Sequence, residues 1–151
     1  MRIGELAKNA HVGGETVRFY EQKGLVARPR RPDGRGYRDY PADTVRRIRF
    51  IRRAQHLGFS LNEVAELLDL EAGDTAQCID VRQRAEMKRA EVEEKLEDLQ
   101  RIKQALDALI EACPGEGPAR TCSILEAINR GDLYLSAKTK RETNGGHNPS
   151  D

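Results

Sequence analysis

Large aromatic side chains are scarce in this sequence, which has no Trp, three Phe and four Tyr among its 151 residues. Charged residues make up 34% of the chain, a proportion that suits exposed helices better than a large core. Apolar runs are only a few residues long, well short of the roughly 20 residues that cross a bilayer. The start, MRIGELAKNA, contains no apolar signal region. We therefore expect a cytoplasmic protein with no membrane partner.

Positive charge is concentrated at the front of the chain. Residues 1–57 contain 14 Lys or Arg and six Asp or Glu, although the formal net charge of the whole chain is only +1. The front segment therefore carries +8 and the remainder −7. A basic segment on a near-neutral chain indicates a polyanionic partner such as DNA, and a solvated charged surface is the alternative.

Two short helices are predicted at the start of this basic segment. Apolar residues at helical spacing mark the first, from Ile3 to Ala10, and a second follows from about Glu15 to Lys23. Gly24 is suited to end the second helix as a C′ glycine. Two helices and a Gly-containing turn within some twenty residues predict a helix-turn-helix.

Residues 25–40, LVARPRRPDGRGYRDY, follow this pair of helices and contain five arginines. Two short strand-like pieces, 25–27 and 37–39, flank a turn around Pro32, Asp33 and Gly34. A basic hairpin directly after a helix-turn-helix is typical of a wing.

Two further helices complete a predicted DNA-binding domain over residues 1–71. Pro41 opens one helix and Gly58 ends it. Ser60 then begins the next, because Glu63 completes an S-x-x-E capping box. Residues 71–74 are interpreted as a linker.

Residues 75–112 contain neither Gly nor Pro and are predicted to form one long dimerisation helix. Ala85, Val92, Leu99 and Leu106 recur every seven residues, and charged residues surround them. Such a stripe needs a partner, and the simplest partner is the same helix of a second chain. We expect a homodimer that pairs these helices antiparallel.

The end of the sequence changes character at Cys113. Pro and Gly crowd a tight loop over residues 114–118, and a short helix is predicted from Cys122 to Asn129. Residues 113–130 are interpreted as a metal-binding loop and terminal helix. The tail, residues 131–151, lacks an apolar pattern and is predicted to be disordered.

The three cysteines, Cys78, Cys113 and Cys122, carry the functional hypothesis. Their odd number and the reducing cytosol argue against a disulfide framework, and all three lie near predicted helix ends. Cys113 and Cys122 bracket the loop, whereas Cys78 lies about 50 Å from Cys113 along one helix. Cys78 can therefore share a site with the other two only between antiparallel subunits.

Thiolates select soft metal ions. No His lies near the three cysteines in sequence, and a structural zinc site would use four ligands. Three sulfurs favour a trigonal soft cation: Hg(II) fits well, and Pb(II) or Cd(II) fit less well. Cu(I), and a harder ion assisted by carboxylates, remain open from the residues alone.

Three stretches of the sequence carry a family resemblance: GGETVRFYEQKGL, RGYRDY and RRIRFIRRAQHLGFSLNEVAELL. They resemble the DNA-binding domain of the MerR family of regulators, and the likeness extends over residues 1 to about 130. It implies a mainly α fold: an N-terminal winged helix-turn-helix domain, a long antiparallel coiled-coil dimerisation helix, and a short C-terminal metal-binding loop and helix.

The cysteine pattern is similar to that of the family's mercury sensors, with one Cys at the start of the long helix and two more nine apart. The family's copper sensors lack the first thiol and have a shorter loop. Its zinc sensors tend to add an adjacent Cys and a loop His, whereas position 112 is Ala here and PGEGPART has no His. CSILEAI is somewhat zinc-sensor-like, so Zn(II), Cd(II) and Pb(II) stay alternatives to Hg(II) as inducer.

DNA contacts are expected from two elements: Thr16, Arg18 and Tyr20 on the recognition helix, and Arg35, Tyr37 and Arg38 in the wing. Core packing is the alternative for Tyr20. The resemblance implies that the dimer binds promoter double-stranded DNA with an overlong spacer and works with RNA polymerase. It would repress a mercury-resistance operon without Hg(II), and activate it with Hg(II) by distorting the DNA.

Three other classes of protein fit the sequence less well than a metal-responsive regulator. A thiol-based redox enzyme would want a His beside its cysteine, and the sequence near the three shows none. A sensor of oxidants would have a different cysteine arrangement, and a sensor of organic ligands would need a further C-terminal domain. The predicted winged helix argues against a metal buffer. We expect no enzymatic activity.

Overall fold

The computed structural model describes residues 1–131, which form six α-helices and two short 3-10 turns, with no β-strand within that range. The helices are α1 (Ile3–Asn9), α2 (Gly14–Gln22), α3 (Asp43–His56), α4 (Leu61–Ala72), α5 (Cys78–Ala112) and α6 (Ser123–Arg130). None of these described helices combines the length and apolarity that a bilayer crossing requires. The prediction of a mainly α fold is confirmed. Residues 132–151, nearly all of the predicted tail, lie outside the described residues.

The first compact unit, Met1–Lys88, contains helices α1 to α4 and the start of α5. Its core is built from apolar residues spaced three or four apart, which is the spacing that puts them on one face of a helix. Five side chains are fully buried there: Leu6, Val17, Ile48, Ile51 and Val64. These come from α1, α2, α3 and α4, so all four helices bury a face in one core.

Local sequence signals set the helix ends in this unit. Gly24 has φ +75°, a left-handed conformation that a residue with a Cβ rarely adopts, and it lets the Leu25 N–H donate to the Tyr20 carbonyl at 2.9 Å. The predicted capping box is confirmed, since Glu63 N–H donates to Ser60 Oγ and Ser60 N–H donates to Glu63 Oε1.

The wing segment, defined here as residues 27–40, differs from its prediction. The pieces 25–27 and 37–39 are not strands; the segment is irregular apart from the 3-10 turn Pro32–Gly34. Two prolines, at positions 29 and 32, lack the N–H that a strand ladder needs. A side chain joins the two stems instead, because the Arg38 guanidinium donates to the Pro29 carbonyl.

The second compact unit begins at Arg89, within α5. Helix α5 is continuous over 35 residues and begins at Cys78, three residues after its predicted start. None of the residues of α5 or α6 is buried, and the stripe along α5 lies open, with Leu96 and Leu99 about three-fifths exposed. A 3-10 turn, Ala119–Thr121, leads into α6.

Candidate metal centre and DNA-binding surface

The loop between α5 and α6 brings two thiols together. Cys113 follows the last residue of α5 and Cys122 precedes the first residue of α6. Their Sγ atoms lie 4.0 Å apart, and both residues are half-buried. Ser123 Oγ donates to the Ala112 carbonyl at 3.3 Å, which ties the two helix ends together at the base of the loop. The pair therefore belongs to a loop whose two ends are joined by a hydrogen bond.

The position of Cys122 makes its thiol more acidic than an ordinary cysteine. Cys122 is the N-cap of α6, and the backbone N–H groups of Leu125 and Ile124 in the first turn of that helix lower the pKa of its thiol. Burial raises the pKa of Cys122 by less than either N–H group lowers it, and the neighbouring Cys113 thiol adds the smallest lowering effect. Metals bind the thiolate, so this local structure favours the binding form of the side chain.

The distance between the two sulfurs fits shared coordination of a metal ion. A disulfide would hold the sulfurs at about 2.0 Å. Two sulfurs that each bond one tetrahedral Zn(II) ion at about 2.3 Å lie about 3.8 Å apart. The observed 4.0 Å is close to that second arrangement. A pair of soft thiolates also suits a soft cation better than a hard one.

Cys78, the third predicted ligand, lies elsewhere on the chain. It is exposed and is the first residue of α5, whereas Cys113 comes after the last. Over its 35 residues an α-helix extends about 52 Å. Within residues 1–131 of a single chain, no group of three His, Cys, Asp or Glu side chains is close enough to hold a metal ion.

The predicted DNA contacts divide into exposed and buried residues. Arg18 on α2 and Arg35 and Tyr37 in the wing segment are exposed, and Thr16 and Arg38 are half-buried. The Arg2 guanidinium lies 4.1 Å from the centre of the Tyr37 ring, a cation–π contact. Arg18 and Arg38 line one cavity of about 350 Å³. All five residues remain predicted DNA contacts.

Tyr20, one of the predicted DNA contacts, lies in the core. Its side chain is 3% exposed, and its hydroxyl donates to Gln55 Oε1 at 2.9 Å, which joins α2 to α3. Burial raises the pKa of Tyr20 against the opposing effect of Arg52. A hydroxyl already committed to a buried partner is not presented to a phosphate. The structure therefore favours core packing for Tyr20 over a DNA contact.

Sequence reasoning missed three residues that shape the basic surface: Arg28, Arg31 and Glu21. All three line the same cavity as Arg18 and Arg38. The density of arginine in residues 25–40 was a signal for the first two. Glu21 gave no such signal, because a carboxylate on a recognition helix reads as a solvated surface charge until its neighbours are known.

The comparisons with known proteins agree with this architecture. Residues 1–71 match the family described as "MerR HTH family regulatory protein", and residues 45–109 match "MerR, DNA binding". The mercuric resistance operon regulatory protein of Bacillus cereus is 42% identical over 127 residues, which cover 84% of this chain and 96% of that protein.

Two solved structures are similar to the chain. The transcription regulator PbrR691 from Ralstonia metallidurans CH34, in complex with lead(II), has a TM-score of 0.74 and 34% identity, covering 85% of this chain and 98% of that chain. The dual function transcriptional regulator MerR from Bacillus megaterium MB1, in complex with mercury(II), has a TM-score of 0.66 and 40% identity, covering 85% and 99%.

Proposed function

Because the chain belongs to the MerR family of DNA-binding transcription regulators, we propose that it controls a mercury-resistance operon with Hg(II) as its inducer. It is a regulator and not an enzyme. The observation that carries the choice of a thiophilic ion is the Cys113–Cys122 pair, with sulfurs 4.0 Å apart and the pKa of Cys122 lowered by the start of α6. The mercury-resistance names of its relatives support Hg(II) in particular.

The proposed site is completed across a homodimer. The exposed apolar stripe on α5 would be buried by packing against a partner helix. Antiparallel pairing of two α5 helices would bring Cys78 of a second chain beside Cys113 and Cys122. The ion would supply a bridge between thiolates of two subunits. Residues 1–71 would then bind DNA, residues 75–112 dimerise, and residues 113–130 hold the metal.

The proposed mechanism couples this bridge to the shape of promoter DNA. Cys78, Ile79 and Asp80 are the first residues of α5 and follow the proposed DNA-binding domain of residues 1–71, and the Gln77 N–H donates to Asp80 Oδ2 at 2.8 Å. A change in subunit geometry at Cys78 would therefore reach the DNA-binding helices through the start of α5. Two conformations of the dimer with different affinity for the ion are sufficient for a switch. The activating one would bend and untwist the spacer so that RNA polymerase meets both promoter elements. A protein with this task is expected in the cytoplasm.

A sensor of Pb(II), Cd(II) or Zn(II) with the same mechanism is the second candidate. The similarity to a lead(II)-bound regulator at a TM-score of 0.74 supports Pb(II) as the first of these. Both readings use the same thiols, so they differ only in which ion stabilises the activating conformation more strongly.

Transcription in vitro from the protein's own promoter tests the proposal. We expect Hg(II) to activate at a lower free concentration than Pb(II), Cd(II), Zn(II) or Cu(I), with metal stoichiometry per dimer measured in parallel. Activation by Zn(II) at lower free concentration than Hg(II) would overturn the mercury assignment.

Two variants of the loop separate soft from hard coordination in that experiment. Cys122→Ser removes a sulfur and should abolish activation by Hg(II). Glu116→Gln removes the carboxylate of the same loop, an exposed residue, and should leave Hg(II) activation unchanged. If Glu116→Gln abolishes activation and Cys122→Ser does not, a harder ion with oxygen ligands is the inducer.

A further inference from the structure

The carboxylate of Glu21 joins the recognition helix to both stems of the wing segment. Its side chain is only 3% exposed. One oxygen, Oε2, accepts from Arg28 Nε at 2.9 Å, and the other, Oε1, accepts from the Tyr40 hydroxyl at 2.9 Å. Arg28 lies at the start of the wing segment and Tyr40 at its end. A single side chain of α2 therefore fixes both points where this segment leaves the domain.

Tyr40, which donates to Glu21, is as deeply buried as the carboxylate. Tyr40 is 3% exposed, and burial, followed by the hydrogen bond to Glu21, raises its pKa to about 12. Its hydroxyl therefore stays a donor throughout the physiological pH range. A buried carboxylate that lost such partners would be costly, so the three groups stabilise one another's positions.

The same carboxylate lies on the wall of the basic cavity. The residues that line this cavity of about 350 Å³ include four arginines, Arg18, Arg28, Arg31 and Arg38. Arg18 belongs to α2, and the other three belong to the wing segment. For these guanidinium groups to meet one DNA backbone, the wing segment must keep a fixed position relative to α2. No strand ladder within residues 27–40 provides that constraint.

We propose that Glu21 is a positioning residue for DNA binding, which holds the wing segment against the recognition helix so that their arginines act as one phosphate-binding surface. This inference rests on the DNA-binding part of the proposed function and is independent of the metal. It gives an acidic residue a favourable role at a surface that binds a polyanion.

The Glu21 carboxylate could act on DNA binding through its negative charge or by positioning the wing segment. These two roles predict opposite changes in operator affinity when the carboxylate is neutralised. Removing a negative charge beside the arginines should strengthen binding to every DNA sequence and increase its salt dependence. Loss of positioning should weaken binding to the operator, where the recognition helix and wing must engage together, without weakening non-specific binding. Glu21→Gln therefore distinguishes the two roles by the sign of the change.

The experiment measures binding of the full chain, without metal, to its operator and to a non-specific duplex of equal length at several salt concentrations. We expect Glu21→Gln to lower operator affinity about tenfold while non-specific affinity stays equal or rises. Hydroxyl-radical protection should weaken at the phosphates next to the wing and persist at those next to α2. Glu5→Gln, which neutralises an exposed carboxylate on α1, is the charge control and should not lower operator affinity.

Parallel gains in operator and non-specific affinity for Glu21→Gln, as for the Glu5 control, would overturn the proposal. Tyr40→Phe keeps the test decisive should Glu21→Gln fail to fold, because it removes one hydroxyl and leaves the buried ring. It should lower operator affinity about threefold, with the same local loss of protection. Wild-type operator affinity and footprint in Tyr40→Phe would overturn the proposal. Operator binding by the wild-type chain tests the proposed function itself, and the variant-to-wild-type ratio tests Glu21.

Discussion

The two compact units of the chain differ in how much of their apolar surface they bury. The first unit buries its apolar faces in its own core, where Leu6, Val17 and Ile48 are completely inaccessible. The described part of the second unit buries no residue, and the apolar stripe of α5 is left open. A single amphipathic helix has too little packing to be stable with such a stripe in water. The apolar faces of the first unit are thus covered within one chain, whereas the proposed sensing region would be completed by a second chain.

Replacing Cys78 should have the largest effect on induction. Cys78 lies in the first unit, whereas the other two thiols of the proposed site lie in the second. We expect Cys78→Ser to abolish activation by Hg(II) while operator affinity stays within about twofold of wild type. The proposed inter-subunit site would lose one of three sulfurs, but the core and the basic surface would keep every contact. In vitro transcription and operator titration measure the two effects separately.

The adjacent variant Gln77→Ser introduces the same side chain one residue earlier and keeps all three thiols. It should respond to Hg(II) like wild type, since the backbone N–H that donates to Asp80 is unchanged. If Cys78→Ser loses both operator binding and induction, the proposed separation of DNA binding from metal sensing is wrong.

Local and periodic signals explain how much of the fold could be predicted. Gly24 and the Ser60–Glu63 capping box act within a few residues, so their effect on the chain is visible in the sequence. The spacing of Ile48 and Ile51 puts both on the buried face of α3, and the heptad stripe of α5 indicated a helix that needs a partner. These features depend on the period of the helix alone.

Features that depend on tertiary neighbours could not be predicted in the same way. Two short strand-like pieces on either side of a turn suggested a hairpin, but the segment is irregular and two of its residues are prolines, which lack the N–H that a strand ladder needs. Tyr20 is polar enough for a phosphate contact, and only the position of Gln55 on α3 shows its partner. Glu21 required knowledge of Arg28 and Tyr40 together. In the candidate metal centre, the loop suggested that two sulfurs converge, but not that α6 would acidify one of them.

A matched pair of truncations sharpens the contrast in packing. Ile48→Ala removes a fully buried side chain and should lower the free energy of unfolding of the first unit by about 3 kcal/mol at any protein concentration. Leu99→Ala removes a side chain that is 61% exposed in one chain. If a second chain covers it, its destabilisation should be largest where the protein is dimeric and should disappear as the protein is diluted below the dimer dissociation range. Denaturant melts at several concentrations, with sedimentation, measure both.

A concentration-independent effect of Leu99→Ala of the same size as that of Ile48→Ala would show that α5 packs on its own chain. The contrast between a self-contained unit and a partner-dependent unit would then be wrong. No effect of Leu99→Ala at any concentration would show that the stripe stays exposed.

Two tyrosine variants test the boundary between core and DNA surface within the first unit. Tyr20→Phe deletes a buried hydrogen bond and should cost about 1 kcal/mol of stability, with operator affinity nearly unchanged. Tyr37→Phe deletes an exposed hydroxyl and should leave stability unchanged, but lower operator affinity by a few fold if that hydroxyl contacts the backbone. Thermal melts and salt-matched titrations measure the pair. A reversal, with Tyr20→Phe affecting DNA binding and not stability, would return Tyr20 to the DNA interface.

The smallest predicted effect concerns the acidity of the Cys122 thiol in the second unit, which should not depend on a second chain. The N–H groups that lower the pKa of Cys122 come from α6 of the same chain. The thiolate is the nucleophile, so its alkylation rate should rise with pH and level off at a lower pH than for an ordinary cysteine. The variant Cys78→Ser/Cys113→Ser isolates this thiol, and its pH–rate midpoint should move up when the chain is unfolded in guanidinium. Because Cys113 also lowers the pKa, the isolated thiol keeps only the part that α6 provides. The shift should be the same above and below the dimer dissociation range; dependence on concentration would mean that even this property is completed by a second chain.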